Sequence, residues 1–116
     1  MAKSVQYTIN CQQYATFQEI WTYEDFTGAV IDLTGYTADL VVKNLSNNSI
    51  LITLTSSSGI TLGGALGTLI LLISSTATSA FTPGTYSYDC ILTAPSGIKS
   101  RIVEGDFIVE SGISQT

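Results

Sequence analysis

Carboxylates are the side chains of this sequence best suited to acid–base chemistry, because the chain contains no histidine. A hydrolase that uses two carboxyl groups needs them on either side of the scissile bond. The spacing here brings no specific pair together, and the sequence has no Asp-x-Asp-x-Asp-Gly calcium loop. We therefore expect solvated charges at strand ends and hairpin edges: Glu24, Asp25, Asp32, Asp39, Asp89, Glu104, Asp106 and Glu110.

The candidate nucleophiles lack the group that usually activates them. Serine, threonine and cysteine need an adjacent base, and histidine, the commonest one, is missing. Cys11 and Cys90 cannot form a zinc site alone, because such a site takes four ligands. The glycine-rich segment 63–67 lacks the lysine of a phosphate-binding loop and is typical of a hairpin turn. We therefore predict no enzyme, no cofactor and no metal site.

The two cysteines allow two interpretations. In a secreted domain, Cys11 and Cys90 would pair as a disulfide. In a cytoplasmic product they would stay reduced and partly buried. Residues 1–4 carry a positive charge but precede no apolar stretch of the kind found in secretory signals. We therefore expect synthesis in a cytoplasm and two reduced thiols.

The charge balance excludes one class of partner. Four basic residues stand against nine acidic ones, which gives a net charge of -5. Nucleic-acid binding needs a clustered basic surface, so we do not expect it. Aromatic side chains could stack on sugars, although core packing and interface contacts are their commoner uses. The candidates are Tyr7, Tyr14, Phe17, Trp21, Tyr23, Tyr36, Tyr86 and Tyr88.

The composition points to a surface that another protein covers. Charged residues make up 11% of the chain, against about 25% in an average globular protein. Hydrophobic residues reach 45%, and the mean hydropathy is +0.35. A chain with so few charges is a poor free monomer. The longest apolar run, residues 69–73, is far shorter than the ~20 residues that cross a bilayer, so we expect no membrane span.

Apolar side chains recur mostly at every second position, which is the period of a β-strand. The clearest alternations predict strands at 38–43, with Ala38, Leu40 and Val42 inward, and at 86–93. Further strands are predicted at 5–10, 17–23, 30–33, 50–54, 60–62, 68–73 and 99–110. About seven to nine short strands separated by turn residues predict an all-β chain folded as an antiparallel β-sandwich. A jelly roll or a small barrel is the alternative.

Individual segments allow more specific predictions about strands, a helical turn and the domain bounds. Residues 69–73 are apolar at every position, which predicts a strand covered on both sides. Residues 74–81 predict one helical turn capped by Ser74 or Ser75, and Gly105 predicts a β-bulge. We expect one domain over residues 1–116 with an ordered core at about 5–110, and a tail, 111–116, that is loose or docked on a partner.

A tyrosine–cysteine spacing matches one feature of immunoglobulin domains. Tyr88 lies two residues before Cys90, as the corner tyrosine of those domains does before their second core cysteine. The accompanying cysteine-then-tryptophan pattern is missing, because Trp21 lies only ten residues after Cys11. We therefore predict that Tyr88 or Tyr86 is a corner tyrosine.

An ordered set of short motifs resembles small virion proteins of tailed phages and prophages. The set runs from about Phe17 to Val109 and is also similar to the N-terminal domain of the upper baseplate protein of lactococcal phages. Its members are Val30–Ala38, Gly59–Leu62, Gly67–Leu69 with Ile73–Ser74 and Thr76–Thr78, Gly84–Asp89, and Gly97–Gly105.

The resemblance implies an immunoglobulin-like β-sandwich that serves as a structural part of a phage virion. We expect it to contact tail, neck, baseplate, fibre or capsid proteins, as a homo-oligomer or in many copies. Decoration of the capsid is the alternative function, and a glycan-binding module is a further one. The resemblance carries over no catalytic residue. Arg101 is expected to pair across strands with a carboxylate such as Asp89.

Overall fold

Two β-sheets packed face to face make up the computed structural model, which describes residues 5–25 and 27–112. Residues 1–4 and the end of the predicted tail, 113–116, lie outside this range. The strands are β1 (Val5–Gln6), β2 (Ile9–Gln12), β3 (Phe17–Thr22), β4 (Thr37–Asn44), β5 (Ser49–Thr55), β6 (Ile60–Leu62), β7 (Thr68–Ile73), β8 (Gly84–Thr93) and β9 (Lys99–Glu110). A 3-10 turn, Gly64–Leu66, precedes β7, and α1 (Ser75–Ser79) follows it.

The larger sheet has the strand order β1-β9-β8-β4-β5, and β2 also pairs with β9. The smaller sheet has the order β3-β7-β6. The β8–β9, β4–β8 and β4–β5 pairs are antiparallel, as the sequence predicted, but β1 and β2 run parallel to β9. The predicted strand 5–10 is therefore two short strands interrupted at Tyr7 and Thr8. An alternating pattern gives the face of each residue and not the direction of the neighbouring strand.

The core lies between the two sheets and takes alternate residues from most strands. Ala38, Leu40 and Val42 are buried, which confirms the predicted inward face of β4. Burial of each large aliphatic or aromatic side chain contributes about 1.5–3 kcal/mol. The remaining buried apolar residues are Ile9, Cys11, Phe17, Leu33, Leu54, Ile60, Leu69, Leu71, Ile73, Phe81, Tyr86, Tyr88, Cys90, Leu92, Ile102, Phe107 and Val109.

The predicted helical turn forms as α1 and anchors the connection between β7 and β8. The Ser74 hydroxyl caps it by accepting a hydrogen bond of 3.2 Å from the backbone N–H of Ala77. The buried Thr78 hydroxyl donates to the carbonyl oxygen of Ala15 at 2.8 Å, so α1 is tied to the turn before β3. No helix within residues 5–25 and 27–112 has the length and hydropathy that crossing a membrane requires.

Tyr86 is the corner tyrosine. Its hydroxyl donates a hydrogen bond of 2.6 Å to the carbonyl oxygen of Thr82, four residues upstream, which is the bond that defines the motif. Tyr88, which has the expected spacing to Cys90, instead donates at 2.7 Å to the carbonyl oxygen of Tyr7. The two tyrosines therefore brace different parts of the sandwich.

Two local predictions are wrong. The segment 30–33 is a loop that follows an isolated bridge between Glu24 and Val30. It turns because the Asp32 carboxylate accepts hydrogen bonds from both the backbone N–H and the hydroxyl of Thr34. Gly105 is not the bulge of the β8–β9 pair, whose register shifts between Cys90 and Ile91 instead.

Candidate functional site

The strand register places two of the predicted carboxylates, Asp89 and Glu104, opposite each other on β8 and β9, whereas Asp25 and Asp32 each stabilise a separate turn. Asp25 accepts hydrogen bonds from the backbone N–H and hydroxyl of Thr27, and these bonds lower the pKa of its carboxyl group. The bonds that Asp32 accepts within its turn lower its pKa in the same way. Asp89 forms the predicted cross-strand ion pair with Arg101, at 3.2 Å. Across the part of the chain that the structure describes, no three metal-ligating side chains come together.

Both cysteines are buried free thiols in the larger sheet. In the strand register, Cys11 on β2 lies beside Val109 on β9, and Val109 lies beside Gly84 on β8. Cys90 lies six positions further along β8 than Gly84. Six residues of strand span about 20 Å, so the two thiols cannot approach each other. Burial raises the pKa of Cys11 to about 11 and that of Cys90 to about 12. Both therefore stay protonated and poorly nucleophilic near neutral pH.

The aromatic residues considered for sugar binding lie in several distinct places. Phe17, Tyr86 and Tyr88 are buried in the core. Tyr7 and Trp21 meet edge to face, with ring centroids 6.1 Å apart, where β3 approaches β1. Tyr23 and Tyr36 line a cavity elsewhere, and Tyr14 lines a third depression beside α1. In the described residues these rings do not form one continuous stacking surface.

Glu19 is an acidic residue of β3 that the sequence did not single out as a candidate. It lies on β3 in the parity of Phe17 and Trp21, which places it on the inner face of the smaller sheet. The indole N–H of Trp21 donates to its carboxylate at 2.9 Å. A hydrogen bond with Glu19 raises the pKa of the Tyr7 hydroxyl. Its shared parity with Phe17 and Trp21 was the signal in the sequence.

The outer face of the smaller sheet is uncharged and partly apolar. Ile20 on β3 pairs directly with Ile70 on β7, and Leu72 lies beside them. Ile20 is 61% exposed and Leu72 49% exposed, so the prediction that residues 69–73 are covered on both sides is wrong for the isolated chain. We call this surface the apolar face, and its outward positions are Gln18, Ile20, Thr22, Thr61, Thr68, Ile70 and Leu72.

A second apolar feature lies at one end of the sandwich, between the β3–β4 loop and the β8–β9 turn. This loop-end cavity has a volume of about 300 Å³. The loop is held in place because the N–H of Tyr23 donates to Gly67 at 2.8 Å and the N–H of Ile31 donates to Tyr23 at 2.9 Å. Its lining consists of Tyr23, Ile31, Tyr36, Leu92, Ala94, Ser96, Ile98 and Ser100, which are all uncharged.

The outer face of the larger sheet is different, because charges of both signs line its concave surface. Asp89 and Glu104 face each other across β8 and β9, and the Arg101–Asp89 ion pair offsets their repulsion. Lys43 lies on the neighbouring strand β4 and lines the same concavity of about 440 Å³. This face is therefore better solvated than the apolar face.

Comparison with known proteins gives matches among solved structures. No family model and no curated protein matches the chain. Among solved structures, a voltage-gated sodium channel beta subunit, studied for multimeric cell-adhesive interactions, matches with 15% identity, a TM-score of 0.45, and coverage of 97% of this chain and 98% of its own. The extracellular domain of the voltage-gated sodium channel beta4 subunit, a parallel homodimer with a role in cell–cell adhesion, matches with 14% identity, a TM-score of 0.43, and coverage of 100% and 96%.

The two packed sheets and the corner hydrogen bond of Tyr86 confirm that the chain is an all-β, immunoglobulin-like β-sandwich. The comparison also corrects the expected function. The proteins matched are cell-adhesion domains and not phage proteins, so the assignment as a virion structural protein is wrong, and its capsid-decoration and glycan-binding alternatives gain no support. At such low identity the likeness shows the fold alone. The sequence resemblance to phage proteins and the virion location derived from it stay untested predictions.

Proposed function

We propose that this chain is a non-catalytic, protein-binding immunoglobulin-like module that self-associates through the apolar face. The observation that carries the proposal is the exposure of Ile20 and Leu72, with the half-buried Ile70 between them, on a face without a charged side chain. Apolar patches of this kind, rimmed by polar side chains, mark contact sites on soluble proteins. Here threonine and glutamine form the rim.

Charge favours a second copy of the chain as the occupant. Each chain carries a net charge of -5, so two copies repel each other over most of their surface. The apolar face has none of these charges, because Glu19 on β3 lies on the opposite side of the sheet. Two copies related by a two-fold axis can therefore place Ile20 and Leu72 against the same residues of the partner without bringing carboxylates together.

The open sheet edges are less suited to pairing than this face. Strand β3 carries the inward-pointing charge of Glu19, and β6 is only three residues long. Strand β5 is interrupted by a register shift in its pairing with β4, between Val42 and Lys43. Inward charges, short edge strands and bulges are all devices that discourage edge-to-edge pairing. Packing of faces is therefore the favoured mode of contact.

The size of the apolar face determines how tightly two copies are expected to bind each other. Two strands of six residues and one of three cover at most about 20 Å by 14 Å, which is well below the about 800 Å² per partner of a stable interface. We therefore expect a weak dimer that forms at high protein concentration and would gain strength where many copies are held together.

Sedimentation velocity across a concentration series, from 10 µM to about 1 mM, tests the proposal. We expect the apparent mass to rise from 12.3 kDa towards twice that value for the natural sequence. The Ile20→Lys variant should stay monomeric, whereas Ile50→Lys, at an equally exposed isoleucine (58% against 61%) on the larger sheet, should associate normally. Circular dichroism confirms folding of both variants. A monomer at every concentration, or equal behaviour of the two variants, overturns the proposal.

A further inference from the structure

We propose that the loop-end cavity is a second binding site, independent of the apolar face, which takes an aromatic side chain next to a lysine or arginine in a protein segment. The cavity lies beyond the end of β3, where Tyr23 follows Thr22, and it shares no lining residue with the apolar face. Its volume of about 300 Å³ matches the smallest ligand pockets and is suited to a single ring.

The lining of the cavity favours a ring over an aliphatic or a charged group. Ile31 and Leu92 form apolar walls, and Tyr23 and Tyr36 add two aromatic surfaces. Rings at right angles or offset to tyrosine gain more than their buried area alone provides. Burial and the nearby Tyr36 raise the pKa of Tyr23, so the Tyr23 hydroxyl stays protonated and can donate to a backbone carbonyl of the occupant.

The charges beside the cavity argue for a basic neighbour of that ring. The loop between Tyr23 and Tyr36 carries three carboxylates, Glu24, Asp25 and Asp32, and no basic residue. Hydrogen bonds within the loop lower the pKa of the Asp25 and Asp32 carboxyl groups, so both stay charged at neutral pH. A positive charge also lies close to the cavity, because Lys99 stands between the lining residues Ile98 and Ser100. Its ammonium group donates to the Thr93 hydroxyl at 3.3 Å.

Glu24 and Asp32 directly adjoin the lining residues Tyr23 and Ile31 in the chain, so the occupant of the cavity would lie close to negative charge. The lining of the cavity itself is uncharged, so the ring and the basic group of an occupant would be recognised by different parts of the site. Such charge complementarity fixes the choice and orientation of a partner.

The test uses the full chain and three short peptides, acetyl-Arg-Trp-Arg-amide, acetyl-Glu-Trp-Glu-amide and acetyl-Arg-Gly-Arg-amide. Each is titrated into ¹⁵N-labelled protein at a concentration where sedimentation shows a monomer, and backbone amide shifts are followed. We expect saturable shifts in the 94–100 segment and around Tyr23 and Tyr36 with the first peptide. Binding should weaken about tenfold when glutamate replaces arginine, and should be lost without the indole.

A variant of a cavity residue tests whether the amide shifts come from binding in the loop-end cavity. Ile98→Lys places a charge on an exposed wall of the cavity and should abolish the shifts, whereas Ile50→Lys, 58% exposed against 59% for Ile98, should leave them unchanged. Equal responses to the three peptides, shifts that map to β3 and β7, or undiminished binding by the folded Ile98→Lys variant would each overturn the proposal. These readouts do not depend on self-association, so the two proposals can fail separately.

Discussion

The hydroxyl of Tyr88 donates a hydrogen bond of 2.7 Å to the carbonyl oxygen of Tyr7, across 81 positions of the sequence. Tyr7 lies in the interruption between β1 and β2, where its carbonyl has no place in the regular ladder. The bond therefore ties the start of the chain to the central strand β8. The ring of Tyr88 packs in the same region, with its centroid 6.5 Å from that of Phe107.

Replacement of Tyr88 by phenylalanine should destabilise the fold by about 1–2 kcal/mol, because the carbonyl of Tyr7 loses a partly buried hydrogen bond while the ring packing of residue 88 remains. Urea unfolding measures this change. Tyr88→Leu should cost more, since it also removes the aromatic contacts with Phe107 and Trp21. Equal stability of Tyr88→Phe and the natural sequence would show that water replaces the hydroxyl.

Gly105 on β9 lies very close to the backbone of Tyr7, and a comparison with Gly84 tests this close approach. A Cβ atom at Gly105 would lie 2.4 Å from the carbonyl oxygen of Tyr7, whereas one at Gly84 would meet nothing within 4 Å. The two glycines have nearly equal φ angles, +154° and +156°. Gly105→Ala should therefore destabilise the chain by about 1–3 kcal/mol more than Gly84→Ala, through forced backbone movement. Thermal unfolding of the two variants gives the difference, and equal melting temperatures would contradict the close approach.

The corner bond of Tyr86 provides an independent prediction. Tyr86→Phe removes the donor to the Thr82 carbonyl and should lower the free energy of unfolding by about 1 kcal/mol. Because Tyr86 and Tyr88 brace different segments, the double variant Tyr86→Phe with Tyr88→Phe should lose the sum of the two single effects. Chemical denaturation of the three variants measures this additivity, and a large coupling energy would show that the two bonds belong to one network.

Much of the sandwich was predictable from alternation, because each strand buries one face. The inward parity of β4 and β8 follows directly from Ala38, Leu40 and Val42 and from Tyr86 to Leu92. Alternation failed where local polar bonds compete, as in the Asp32 turn, and it carries no information on the parallel pairing of β1 and β2 with β9. The sequence left the corner tyrosine open between Tyr88 and Tyr86, and the structure assigns it to Tyr86, whose hydroxyl donates to the Thr82 carbonyl.

The candidate surfaces were predictable only in part. The apolar run 69–73 indicated an unusual strand, but the run alone cannot distinguish cover by this chain from cover by another. Leu69, Leu71 and Ile73 face the core, and the outward Leu72 is left open. The loop-end cavity combines residues from segments more than sixty positions apart, such as Tyr23 and Ile98, so only the tertiary structure brings them together.

The buried thiols predict how stability changes at alkaline pH. The pKa of Cys90 is raised from 9.0 to about 12 and that of Cys11 to about 11, in each case chiefly by burial. Well below pH 9, the ordinary pKa of a thiol here, both thiols are protonated in the folded and unfolded states, so their contribution is constant. Between about pH 9 and 11 the unfolded chain loses these protons while the folded chain keeps them. Stability should therefore fall with rising pH, by up to about 1.4 kcal/mol per pH unit for each thiol.

Urea unfolding at pH 7.5, 8.5, 9.5 and 10 measures how steeply the free energy of unfolding falls with pH. Cys90→Ala should be less stable than the natural sequence at pH 7.5, because it leaves a small cavity in the core. Its stability should nevertheless fall less steeply above pH 9, because one of the two raised thiols is gone. Cys11→Ala should flatten the slope in the same way. Tyrosines, with an ordinary pKa of about 10, begin to titrate within this range, but they are common to all three proteins, so their contribution cancels in the comparison. An unchanged slope in both variants would contradict the assignment of the alkaline effect to the buried thiols.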